Sequence, residues 1–392
     1  MNIIYIGSFR LPNYDAGAPR VINNAKAFRS IGHNVSFVSW GGKYRECDLC
    51  IDGKYRTNGF EYIITDELPF NSCSMVNRIF KKLKRGNKSI NILTKMVNKP
   101  DLIIMYNADY SFSKKMLKFC NKYNIKLAND INEWFSNNEL HIWDILKNSI
   151  NMKRVQHKIP NKIVISSFLD NYYNTSNNVL IPPLCDKEET KWYNEITDDR
   201  VGPFSGITFI YAGIPTKKDC LNTFIESVNT LAKKGNNVRF IVIGITKEQF
   251  MTNYSNYITD KDLHNNIIFL GRISQDLVPA YYKKADFMVL FREPNRKNMA
   301  GFPTKIAESI TAGVPILTNP TSDIDKYIKN GVNGYILNSY DNDSIVSCIE
   351  NSILKLKEEE LQCMKKNTIE SSKSFEWQSY KTMFRNFLDN LI

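Results

Sequence analysis

The sequence predicts an α/β protein made of two doubly wound domains facing a cleft, and three observations carry that expectation. The chain has 392 residues, beyond the size at which one hydrophobic core usually stops growing. Strand-length apolar runs alternate with helix-length amphipathic ones from end to end, the rhythm of parallel sheets with crossover helices. The alternation breaks once, in the polar, irregular stretch "CDKEETKWYNEITDDRVGPFSG", which suits an inter-domain boundary. The expected division is therefore a Rossmann-like domain over residues 1–184, a linker over 185–206, a second Rossmann-like domain over 207–375, and a closing helix over 376–392.

In order, "NIIYIGS" reads as a buried first strand, "RVINNAKAFRSIG" as a helix and "NVSFVSW" as the next strand. "DLIIMYN", the basic helix "SFSKKMLKFCNKYN", "IKLANDI", "NKIVISS" and "NVLIPPL" continue the pattern. After the break come "ITFIYAG", the helix "DCLNTFIESVNTLAKKG", "VRFIVIG", "NIIFLGR", the helix "QDLVPAYYKKA", "DFMVLFR", the helix "TKIAESITAG", "VPILTN" and "NGYIL". No repeat of solenoid period is visible.

Composition narrows the class. With 43% hydrophobic and 23% charged residues the chain can fill cores and is not of a disordered type. The start "MNIIYIGSF" has neither the basic nor the long apolar region of a signal peptide. No run of transmembrane length occurs. Eight cysteines without a secretory start indicate a reducing, cytoplasmic setting. Cys47 and Cys50 form a lone CxxC with no second pair or histidine cluster to complete a metal site, so no metal is expected. The net charge of +12 concentrates between Arg78 and Lys126, where the only acids are Asp101 and Asp109. "RIFKKLKRGNKSINILTKMV" mixes apolar residues with lysines as a helix on anionic lipid headgroups would. A solvated basic helix face fits the same residues. Nucleic acid is not expected as a partner, because neither interleaved aromatics nor a recognisable nucleic-acid motif accompanies the charge.

Ligands of doubly wound sheets settle beyond the carboxyl ends of the strands, which directs attention to three loops. "GSFRLPNYDAGAPRV" follows the first strand and includes Gly17; "AGIPTKKD" carries Gly213, Lys217 and Lys218; "REPNRKNMAGFPTKIAES" carries Arg292, Arg296, Ala300, Gly301, Phe302, Pro303, Thr304 and Lys305. None is a GxGxxG or a P-loop. In the third, Pro303 suits the first position of a helix, leaving the N–H groups of Thr304, Lys305 and Ile306 to face an anion such as a diphosphate. Glu308, one turn on, falls on the same helix face and can accept two hydrogen bonds from the vicinal hydroxyls of a ribose. A first-turn acid followed by a helix stop at "AGVP" also accounts for these residues.

"AGFPTKIAESITAGVPIL" resembles the donor-binding segment of the retaining GT-B glycosyltransferases of family 4, in a branch that makes capsules and other surface polysaccharides. Similar segments run nearly the full length in the family's order: "YIGSFRLPNYDAGAPRVINNAKAFRSIGHNVSFVS", "IVISSFLDNYY", "NVLIPPLCD", "FIYAGIPTKKDCLNTFIESV", "IIFLGRISQDLVPAYYKKADFMVLFR" and "FEWQSYKTMFRNFLDN". The resemblance implies the GT-B fold and transfer of a sugar from a nucleotide diphosphate donor, UDP- or GDP-linked, with retention at the anomeric carbon. It implies that Glu308 holds the ribose and Lys218 the diphosphate, that Gly301 to Lys305 offer backbone N–H groups, and that Arg272 and Ile273 meet the base. Gly17 would close over the diphosphate from the other domain. Two positions depart from the pattern: Ala300 stands where the family usually has its first glutamate, and Gly213-Ile214 where it commonly has Gly-Arg. Arg292 or Arg296 is the expected replacement for that cation.

Electrostatic stabilisation of a departing phosphate by Lys218, an arginine and a helix start needs no metal and no cofactor. A paired-carboxylate hydrolase cannot be assembled from this sequence. Asp130 and Glu133 in "NDINEWF" are the candidates for orienting an acceptor hydroxyl. The expected acceptor is a glycan or a lipid-linked glycan, with the enzyme cytoplasmic and peripheral to the membrane. The alternatives are a sugar-nucleotide-binding subunit without turnover, suggested by Ala300, and a sugar-nucleotide epimerase on the same fold.

Overall fold

The computed structural model describes residues 1–68, 84–134, 142–216, 218–254 and 263–392; the side chains at 142–144 and 253–254 also lie outside it. The chain divides into two compact units. One comprises Met1–Leu184, Ala300–Phe302 and Trp377–Ile392, the other Cys185–Met299 and Pro303–Glu376. Residues 185–206, expected as a linker, are packed within the second unit, where Trp192 and Val201 are buried.

The first unit holds an eight-stranded sheet: β1 (Asn2–Leu11), β2 (Asn34–Gly42), β3 (Arg56–Thr57), β4 (Phe60–Ile64), β5 (Leu102–Tyr106), β6 (Lys126–Ile131), β7 (Asn161–Val164) and β8 (Asn177–Leu180), in the order β3-β4-β2-β1-β5-β6-β7-β8. All pairings are parallel except β3 with β4. β1 is buried on both faces because alternate residues serve two cores. Ile3 and Tyr5 join Phe28, Phe37 and Ile104 on one side; Ile4 and Ile6 join Trp40, Ile103 and Phe112 on the other. Such double burial is what a parallel sheet with helices on both faces requires. The final helix, Lys381–Asp389, adds Phe384 and Phe387 to the first of these cores, with Phe384 4.6 Å from Phe28 between ring centroids.

The second unit holds a six-stranded, all-parallel sheet: β9 (Ile207–Ala212), β10 (Val238–Ile243), β11 (Ile267–Gly271), β12 (Phe287–Leu290), β13 (Ile316–Thr318) and β14 (Gly334–Ile336), ordered β11-β10-β9-β12-β13-β14. Its strand order reverses direction between β9 and β12, so the loops leaving these two strands diverge at the switch point. That is the place where doubly wound sheets bind ligands.

The basic segment is interrupted. Gly86 takes a left-handed φ of 85° and opens the helix Asn87–Lys95; a Cβ there would lie 2.4 Å from Phe112. In the described part of the stretch read as one lipid-lying helix over 78–97, Lys84 is helical, the helix breaks at Arg85 and Gly86, and a second one starts at residue 87. Arg78, Lys81 and Lys82 lie outside the described residues. Lys84, Lys88, Lys95, Lys114, Lys118, Lys122 and Lys126 are exposed, whereas Arg85 pairs with Asp109 at 3.0 Å.

Candidate functional site

The switch point of the second sheet is stitched by backbone before any side chain acts. Cys220 N–H donates to the Phe291 carbonyl at 2.9 Å, and Asp219 and Arg292 form an antiparallel bridge. The loop after β9 is thus tied to the loop after β12. Gly213, which follows β9, has φ 135°, and a Cβ there would lie 2.6 Å from Lys305 Cε. Only glycine takes that backbone without strain, and it leaves room for the Lys305 stem to cross.

Four side chains converge there. Asp219, 2% exposed, accepts from Arg292 Nε at its Oδ1 (2.8 Å) and from the Tyr211 hydroxyl at its Oδ2 (2.8 Å). Lys305 Nζ stands 3.5 Å from Asp219 Oδ2, donates to the Tyr211 hydroxyl oxygen, and sits 3.9 Å from the Tyr211 ring centroid. Arg292 is fixed from behind: its N–H donates to Asn319 Oδ1 (2.9 Å) and its carbonyl accepts from Asn319 Nδ2 (2.7 Å). Burial works to raise the Asp219 pKa, but Lys305 and Arg292 outweigh it and hold the carboxyl below the usual carboxylate range. Burial pushes the Lys305 ammonium down to about 8; Asp219 opposes that shift, while Arg292 and Lys218 add to it.

The helix Thr304–Thr311 rises from this cluster. Pro303 is the residue capping its start rather than its first helical residue, and Ile306 N–H donates to the Pro303 carbonyl at 3.1 Å. Of the three N–H groups expected to face an anion, that of Ile306 is therefore spent within the turn. The helix buries Ile306, Ala307, Ser309 and Ile310, placing Lys305 and Glu308 together on the less buried face. It stops at Gly313, whose φ of 80° lets Val314 N–H return to the Ser309 carbonyl at 3.0 Å.

Glu308 is half-buried on that face. Burial raises its pKa, chiefly against Lys191, then Lys305, with Glu189 adding to the rise. Lys191 pairs with Glu189 at 2.6 Å. Neither residue has a sequence signal that marks it for this role.

Two α/β sheets, one in each unit and parallel apart from the β3–β4 pairing, form the doubly wound arrangement that the GT-B glycosyltransferase structures below share. Residues 204–371 match the family described as glycosyl transferases group 1, so a domain of that type occupies most of the second unit. Solved structures agree over both units. Sucrose-phosphate synthase from Thermosynechococcus elongatus superposes with a TM-score of 0.72 at 13% identity, covering 99% of this chain and 98% of its own. HepE of Anabaena, solved with UDP and glucose, gives 0.69 at 14% identity with full coverage of both chains. WaaG, a glycosyltransferase involved in lipopolysaccharide biosynthesis, gives 0.66 at 12% identity over 99% of this chain and 100% of its own. No curated protein sequence matches the chain.

The expected site residues fall into three groups. Gly213, Lys218, Arg292, Lys305 and Glu308 are brought together at the switch point or on the helix leaving it. Arg292, however, is committed to a buried ion pair and does not stand as the open cation that was expected. Asp219 and Tyr211 were not anticipated; the one available signal was an acid immediately after Lys218 in a strand-to-helix turn. Thr304 begins the helix that Pro303 caps, and Ala300, Gly301 and Phe302 precede it but group with the first unit, where Ala300 is fully buried and its carbonyl accepts from Ser166 Oγ at 2.7 Å. Arg272 and Ile273 follow β11, separated from β9 by β10, and Arg296 is exposed on the short helix Arg296–Ala300. Lys217 lies outside the described residues.

In the first unit, Gly17 starts the helix Gly17–Ser30 with its N–H on Asp15 Oδ1 (3.1 Å); a Cβ would come within 3.1 Å of Phe9 and Tyr106. Glu133 is half-buried just past β6. Asp130 is a correction. It is 0% exposed, accepts from Arg20 Nε (3.0 and 3.1 Å) and Nη2 (2.8 Å), and also from Tyr5 and Asn24. Arg20 spends Nη1 on the carbonyls of Ile181 and Pro182. With its oxygens used and no surface open, Asp130 is a structural ion-pair partner rather than an acceptor-orienting group.

Proposed function

We propose that this chain is a retaining glycosyltransferase that moves a sugar from UDP- or GDP-sugar to a glycan or lipid-linked glycan in surface-polysaccharide synthesis, using no metal or other cofactor. The observation that carries the reading is the half-buried Glu308 carboxylate one helical turn beyond the Lys305 ammonium, in a domain matching group 1 glycosyltransferases. A diphosphate near Lys305 and Lys218 would meet positive charge aimed at the leaving group. The ribose, one turn deeper, would find an acceptor for its two hydroxyls. Gly17, Arg272, Ile273, Arg296, Lys217 and the 300–304 backbone remain the candidates for further donor contacts, and Glu133 for orienting an acceptor hydroxyl.

HepE has been solved with UDP-glucose, which supports a nucleotide-sugar donor, and WaaG is a glycosyltransferase involved in lipopolysaccharide biosynthesis, which supports a surface-glycan acceptor. Among the described residues no helix is long and apolar enough to cross a membrane. The exposed lysines of the first unit support a cytoplasmic enzyme held peripherally on an anionic inner face. Ala300 favours a second reading, a sugar-nucleotide-binding subunit without turnover.

A panel of UDP-, GDP-, CDP- and ADP-sugars, followed by thermal shift and by hydrolysis without acceptor, tests both. Slow hydrolysis of a stabilising donor, releasing a sugar whose anomeric configuration matches the donor by NMR, is the expected result. Stabilisation with no turnover against any glycan extract would favour the inert subunit, and release with inverted configuration would overturn retention.

A further inference from the structure

The donor-site reading leaves one acid unexplained. Asp219 is buried in a place meant for an anionic ligand, where a carboxylate would ordinarily compete with the ligand's charge. Its two oxygens are divided: Oδ1 serves Arg292, while Oδ2 serves Tyr211 and Lys305. The two cations are held unequally. Arg292, with 8% of its side chain exposed, is fixed by the 2.8 Å contact to Asp219 and by Asn319 on both sides of its backbone. Lys305, with 15% exposed, stands at the longer 3.5 Å, and its flexible stem passes over a glycine. Asp219 thus holds Arg292 directly, and Lys305 both at 3.5 Å and through the Tyr211 hydroxyl, to which Lys305 and Asp219 are each bonded.

We propose that Asp219 is a positioning residue for diphosphate recognition, holding the Lys305 ammonium and the Arg292 guanidinium converged at the mouth of the second sheet. This rests on the donor-site reading above. Without the carboxylate, two adjacent cations repel and burial favours the neutral amine. The groups facing Lys305 are Asp219 and Tyr211, which favour its charge or bond to it, Arg292 and Lys218, which disfavour that charge, and Glu308 one turn on. Since burial already pushes the Lys305 ammonium down to about 8 against the pull of Asp219, losing Asp219 moves its deprotonation towards neutrality, and diphosphate affinity falls with it.

The test is calorimetric titration of the full chain with UDP, GDP, CDP, ADP and inorganic pyrophosphate between about pH 6 and 9.5, in the wild type, Asp219→Asn and Asp219→Glu. In the wild type, affinity for the diphosphate that binds is expected to fall above about pH 8; in Asp219→Asn that fall begins about one pH unit lower, and Asp219→Glu restores it. An unchanged midpoint, or a loss of the same size at every pH, would overturn the proposal, since a merely structural role predicts the latter. Should Asp219→Asn not fold, Lys305→Met carries the test: the alkaline fall must disappear, and its persistence refutes the mechanism. If no diphosphate binds the wild type at any pH, the donor-site reading itself fails, an outcome distinct from binding with an unmoved midpoint.

Discussion

Replacing Asp130 by asparagine separates a structural role from a catalytic one. The substitution keeps the shape of the side chain but leaves Arg20, 3% exposed, as a buried cation facing a neutral group. Three of the five Arg20 hydrogen bonds end on this carboxylate. Burial acts to lower the Arg20 pKa, yet Asp130 raises it above its ordinary value, which marks the carboxylate as the compensation for burying the guanidinium. Breaking a buried pair by removing one partner costs about 3–5 kcal/mol, and a unit of this size loses about 2–4 °C of melting temperature per kcal/mol. A fall of roughly 10 °C in the melting transition of the first unit is therefore expected by circular dichroism. Activity per folded molecule at low temperature should stay within about threefold of the wild type, the change in barrier being under ~1 kcal/mol. Replacing both partners, Arg20→Met with Asp130→Leu, should recover much of the loss, because a well-packed apolar pair can substitute for a buried ion pair. An unchanged melting temperature combined with a large loss of turnover would refute the reasoning and return Asp130 to the reaction.

Two further predictions concern the first unit. Lys162 is 0% exposed, pairs with no carboxylate among the described residues, and lies 5.0 Å from the Tyr173 ring centroid, with burial lowering its pKa to about 7. Its folded pKa lies below the unfolded one, so the unfolded chain binds more protons between about pH 7 and 10, and stability should rise with pH across that window. Lys162→Met should flatten the rise and add about 1 kcal/mol or more at pH 7, read by urea denaturation; a variant that is less stable yet equally pH-dependent would contradict this. Reversing Lys114, Lys118 and Lys122 to glutamate should release the protein from anionic liposomes in sedimentation, at about 1 kcal/mol per residue. Unaltered sedimentation would remove the membrane reading.

Local patterns in the chain announce much of this molecule, and the reason is physical. The central strands β5, β10 and β12 are short, largely apolar runs buried on two faces, a feature visible without any contact partner, whereas β3 and β4, polar or alternately buried, have no such run. The helix over 304–311 and its stop at Gly313 are likewise written in neighbouring residues, through a proline before the start and a glycine after the end. What the sequence hides is pairing over distance. Asp130 meets Arg20 across 110 positions, and Asp219 meets Arg292 across 73. An acid at the end of a strand looks the same whether its partner is a substrate or a buried arginine, so position alone makes Asp130 a candidate for orienting an acceptor hydroxyl, while Asp219, in the turn after Lys218, carries no mark of its partner. Gly86 shows the converse: a lysine-rich, apparently continuous amphipathic stretch is broken by one residue whose backbone turns left-handed against Phe112.

The central claim is that Glu308 grips the ribose of a nucleotide sugar whose diphosphate lies by Lys305. Titrating wild type and Glu308→Ala with the stabilising nucleotide sugar, alongside inorganic pyrophosphate, tests it most directly. The account predicts at least about a tenfold loss of nucleotide-sugar affinity, the roughly 1.5–3 kcal/mol of a charge-assisted contact, with pyrophosphate affinity nearly unchanged. Equal affinity of the two proteins for the nucleotide sugar would contradict it.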